Sequence, residues 1–112
     1  MKIINVIPRQ RWEIVFRDND SWQAGIYYPE YISREEIDIL EKHNVPELFY
    51  LIQGEIILVL SRDLKEIKEV PMEPGKLYII DEWHNAYRPN GKNGVALVIE
   101  RTNVKTIYTR IK

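Results

Sequence analysis

The chain is 112 residues long, carries a formal net charge of −1 and contains no cysteine. That is one domain's worth of sequence, enough to bury a core without staples, and the missing thiols remove disulfides, thiolate metal sites and cysteine nucleophiles together. Charges of both signs are interspersed, with no basic block to hold a phosphate backbone and no apolar run long enough to span a bilayer.

The expectation is therefore a single domain over residues 1–112 with neither nucleic acid nor membrane as partner. The absence of cysteine fits a reducing cytosol. The abundance of isoleucine, lysine and glutamate leans towards a heat-adapted source. The start, MKIINVIPRQRWEIVF, soon turns polar and has no small-residue cleavage site, so it reads as mature protein.

In chain order, KIINVI, RWEIVF and WQAGIYY read as strands, rich in β-branched and aromatic residues. A short helix is predicted next, over SREEIDILEK. Ser33 and Glu36 have capping-box spacing, Ile32 and Ile37 staple spacing, and Ile37 and Leu40 share a helical face. Pro46 biases Val45 towards extended geometry, so the helix should end near His43. ELFYLI, EIILVL, EIKEV, KLYII, VALVIER and TIYTRI follow as strands. Gln53-Gly54 fits a tight hairpin tip, Ser61 to Lys65 a polar turn and Pro74-Gly75 a type II turn. Many short strands at this spacing argue for an antiparallel sandwich or barrel. Apolar strands at both termini would be hazardous as free edges. At least one of them is expected to pair across a dimer or to tuck against the barrel.

HNVPELFYLIQGE, residues 43–55, carries the chemistry. If His43 is already extended, it shares a face with Val45, Glu47, Phe49 and Leu51. An imidazole and a carboxylate then sit at the mouth of an apolar interior, a donor pair suited to Fe, Mn, Zn, Ni or Co. His84, in DEWHNAYRP, is the only other histidine. If strands 47–52 and 77–80 are neighbours, the two histidines and Glu47 form a 2-His-1-carboxylate set. Glu41 would share the face of His43 in an extended chain. In the predicted helix, residues two apart diverge by about 200°, so Glu41 stands as an additional candidate. Phe49, Leu51, Leu58, Ile79 and Leu97 are the predicted apolar wall, and Trp83, beside His84, a residue of the mouth. Arg88 and Arg101 are candidates for an anionic substrate.

HNVPELFYLIQGE followed by PGKLYIIDEWHNAY resembles the two motifs of the cupin superfamily. His43, three residues, Glu47, six residues and Gly54 follow the first motif; Gly75, five residues, Asp81 and then His84 follow the second. The chain departs at three places. Glu41 replaces the first histidine, Asp81 replaces a proline, and His84 arrives about two residues early, which brings Asn85 nearer the usual ligand position. The resemblance implies a small single-domain, RmlC-like jelly roll: an all-β double-stranded β-helix holding a divalent metal on His43, Glu47 and His84. It also implies a small-molecule ligand, frequent homodimerisation, and oxygenase, isomerase or lyase chemistry. A metal-free module binding a sugar or small acid, and a carbohydrate isomerase or epimerase, are the alternatives. Whether the chain is an enzyme stays open at this point.

Overall fold

The computed structural model describes residues 1–111. Ten strands form: β1 (Trp12–Asp18), β2 (Trp22–Tyr27), β3 (Ile39–His43), β4 (Glu47–Gly54), β5 (Ile57–Ser61), β6 (Lys68–Pro71), β7 (Leu77–Ile80), β8 (Trp83–Tyr87), β9 (Gly94–Arg101) and β10 (Thr106–Arg110). They make two five-stranded antiparallel sheets, ordered β1-β2-β9-β4-β7 and β10-β3-β8-β5-β6. This is one of the two antiparallel architectures expected from the strand spacing, a sandwich, in the jelly-roll form that the motif resemblance implied. No helix among the described residues is long and apolar enough to cross a membrane.

The core between the sheets is built from Phe49, Leu51, Ile56, Leu58, Met72, Ile80, Ala86, Ala96 and Val98. Alternation supplies it: on β4, Glu47, Phe49 and Leu51 are buried while Tyr50 and Ile52 are exposed. A second cluster of Ile37, Leu40, Val59 and Tyr87, with Trp83 packed against it, gathers on the other side of β5 and β8. Residues 28–38 therefore act as a cover for the second sheet.

The helix prediction is overturned. Only Arg34–Glu36 make a single 3-10 turn, and Ile37 is already extended. Ser33 makes no side-chain cap, Glu36 Oε1 accepts instead from the Ile32 amide at 2.7 Å, and Ile32 is exposed where a staple would bury it. Ile37 and Leu40 do meet in one cluster, so the apolar spacing was real while its period was misread. Pairing of residues 39–43 with β10 across the whole strand, and with β8 at Glu41, satisfies backbone groups that a helix would satisfy internally. Tertiary pairing overrides weak local helix propensity here.

KIINVI forms no ladder, and Ile3, Ile4, Val6 and Ile7 are all exposed. TIYTRI does pair within the chain, as β10 on the edge of the second sheet. Gly54 is not a hairpin tip, because β4 pairs with β7 and β9 but β5 pairs with β6 and β8. It is the corner at which the chain leaves one sheet for the other. Its φ is +77°, and a Cβ there would stand 1.9 Å from the Asn93 carbonyl oxygen. Gly54→Ala is expected to cost at least about 2 kcal/mol through strain and collision, read as a lowered urea midpoint. An unchanged midpoint would show that the corner is not tight.

Candidate metal centre

Both sheets contribute to one point in the interior. Glu41 and His43 project from β3, and His84 from β8, where Glu41 and His84 are paired in register. Glu47 comes from β4 in the facing sheet. His43 and Glu47 thus belong to two strands in different sheets, joined by a bend through residues 44–46, and not to one strand face. Because residues 39–43 are extended, Glu41 lies on the His43 side, which the predicted helix would have denied it.

The donor atoms converge. His84 Nε2 lies 2.7 Å from Glu47 Oε1 and 3.4 Å from Glu41 Oε1; His43 Nε2 lies 3.2 Å and 3.8 Å from the same two oxygens. Donors about 2.1 Å from a shared divalent ion stand roughly 3–3.5 Å apart; two of these distances fall in that range, and 2.7 Å and 3.8 Å bracket it. Glu47 Oε1 and His84 Nε2 are buried and have no aligned hydrogen-bond partner despite their closeness. While the His84 ring is neutral, two acceptors lie side by side in the interior, which is costly, and a cation or a proton between them satisfies both.

The outer nitrogens are held as metal-binding imidazoles require. His84 Nδ1 lies 2.9 Å from the Glu82 carbonyl, which can only accept, so Nδ1 carries the proton and the Nε2 lone pair of the neutral ring faces the cluster. His43 Nδ1 lies 2.8 Å from Thr106 Oγ1, its register partner on β10. Without metal the cluster holds protons instead. Burial opposes charge on His84, but hydrogen bonds to Glu41 and Glu47 outweigh it and raise its pKa to about 10. The hydrogen bond to Glu47 raises His43 in spite of its burial. Burial also opposes charge on Glu47, yet the two imidazoles lower it to about 2.

Glu100 completes the cluster, and sequence reasoning missed it. Its carboxylate, with His43 and Glu47, forms a second group whose donor atoms all lie within 4.8 Å of one another. Burial, then a hydrogen bond with Glu47, raises its pKa to about 7. Strand parity in VALVIER was the available signal: Ala96, Val98 and Glu100 share the buried face of β9, so an acid ends an otherwise apolar row.

The donors open into a cavity of about 300 Å³, the lower end of the usual small-molecule range. Trp12, Tyr27, Phe49, Ala86 and Val98 are its apolar lining, and Arg11, Asn85 and Tyr108 are among its polar residues. The sequence-based wall needs correction. Leu51 and Leu58 lie in the inter-sheet core without reaching the cavity lining, while Ile79 (61% exposed) and Leu97 lie on the outer face of their sheet. In each case the inward position is the next residue, Ile80 or Val98. Trp83 packs in the second cluster, one residue out of phase with His84. Trp12 is the tryptophan in the cavity. Its ring lies over Gly25, where a Cβ would come within 2.0 Å of it. Asn85 spends its amide on the Ile39 carbonyl. Arg88 clamps the Pro29 and Lys92 carbonyls and stacks over Tyr28, and Arg101 is exposed on the outward row of β9.

No protein-family model matches the chain, and no curated protein matches it in sequence. Solved structures do match in fold. A cupin 2 domain-containing protein from Halorhodospira halophila aligns with TM-score 0.66 at 14% identity, over 94% of this chain and 71% of that one. Cobalt(II) HppE in complex with substrate aligns with TM-score 0.63 at 17% identity, over 86% of this chain and 57% of that one. The DMSP lyase DddQ from Ruegeria pomeroyi aligns with TM-score 0.61 at 16% identity, over 88% and 50%. The chain thus spans about half the length of these two proteins. Two antiparallel sheets and these structural matches agree: the chain has the jelly-roll fold of cupin structures.

Proposed function

We propose that the protein is a metal-dependent cupin acting on a small molecule in the cavity beside Glu41, His43, Glu47 and His84. The observation that carries this reading is the convergence of four donor side chains on two buried atoms 2.7 Å apart, Glu47 Oε1 and His84 Nε2, which need a proton or a cation between them. A divalent ion there supplies Lewis acidity towards a carbonyl or enolate, or a site for O₂, which spans oxygenase, isomerase and lyase reactions. The chain's own residues do the rest. Glu82 and Thr106 orient the imidazoles, Trp12, Phe49 and Val98 exclude water, and Glu100 places a further carboxyl beside the donors.

The test is metal analysis of the purified protein beside His43→Ala and His84→Ala. Stoichiometric metal in the parent and loss in both variants is the expected result. Equal, low metal in all three would overturn the reading in favour of a metal-free module binding a sugar or small acid.

A further inference from the structure

We infer that Glu100 is a specificity-determining member of this centre, fixed by Gln23 and Arg17, and that it biases the site towards hard, oxygen-preferring ions such as Mn(II). The inference rests on the metal reading above. Arg17 pairs with Gln23 across β1 and β2, and Gln23 with Glu100 across β2 and β9, so the three residues form one row. Arg17 Nε donates to Gln23 Oε1 at 3.0 Å, and Gln23 Nε2 donates to Glu100 Oε2 at 2.6 Å. Gln23 is 4% and Glu100 9% exposed. This strut holds a carboxylate against Glu47 and His43, where a second buried acid is costly without a cation to offset it. The group it joins, His43, Glu47 and Glu100, offers two carboxylates and one imidazole, whereas Glu41, His43 and His84 offer one carboxylate and two imidazoles. Carboxylate oxygens suit Mn(II), whereas imidazole suits Zn(II) and Cu(II).

Competition titrations with Mn(II) and Zn(II) test this in the parent protein, Glu100→Gln and Gln23→Leu, each checked for its fold by near-UV circular dichroism. Glu100→Gln keeps shape and loses charge. It should weaken Mn(II) by roughly 10–100-fold and Zn(II) several times less, with a changed Mn(II) paramagnetic resonance spectrum. Gln23→Leu should move the affinity ratio the same way. A parent that binds both ions with a ratio untouched by Glu100→Gln overturns this inference alone. A parent that binds neither overturns the metal reading with it.

Discussion

Replacing His84 with alanine should abolish the proposed metal binding and remove part of the stability even without metal. The His84 and Glu47 side chains are 5% and 4% exposed. Removing one member of so buried a pair leaves the other charge poorly compensated, a loss of about 3–5 kcal/mol in comparable cases. The low end applies here, because His43 Nε2 still stands 3.2 Å from Glu47 Oε1. Urea denaturation in the presence of a chelator reads this term alone. Metal affinity should fall by more than the roughly 10–100-fold that attends loss of an outer-shell partner, since a ligand itself is gone. If His84→Ala unfolds like the parent and binds metal as tightly, neither the buried pair nor the centre is as described.

The metal-free protein should be most stable in mild acid and weaken as the pH rises, while metal binding strengthens. His84 is raised from 6.5 to about 10 in the folded state. Its stabilisation is full below pH 6.5 and is lost as the pH climbs through 10. Glu47 is lowered from 4.5 to about 2, so its stabilisation is present above pH 4.5 and is lost as the pH falls through 2. Glu100, raised from 4.5 to about 7, binds more protons folded than unfolded, so it also withdraws stability as the pH rises across that interval. The sum places the maximum near pH 5. Metal must displace the imidazole protons, so affinity should increase across pH 6.5–10. Melting temperatures taken with chelator and with saturating metal should therefore diverge over that range. A metal-free melting curve indifferent to pH between 7 and 10 would contradict the charge arrangement.

Much of this architecture could be read from the residues. Runs such as ELFYLI and VALVIER have no stable alternative to strands, because their β-branched and aromatic residues alternate and turn residues bound them. The spacing from His43 through Glu47 to Gly54, with Gly75 and His84 beyond, pointed to two histidines and an acid at one mouth. The two strands that were missed share one physical origin. SREEIDILEK contains sound helix signals, and WHNAY contains little apolar alternation, yet β3 and β8 pair with each other and give the second sheet its centre. Neither segment carries that information locally, because each strand is stabilised by the other.

The sequence by itself determined the sandwich, most of its strands, and a His-Glu-His constellation within reach of one point. Only the tertiary structure decided that Glu41 turns inward, that Glu100 joins from the facing sheet on the Gln23–Arg17 strut, and that Trp12 rather than Trp83 lines the cavity. Side-chain direction in a strand reverses at every residue. A single misplaced boundary, or one unrecognised strand, therefore moves a residue from the cavity to the opposite face, and only the register between strands settles which it is.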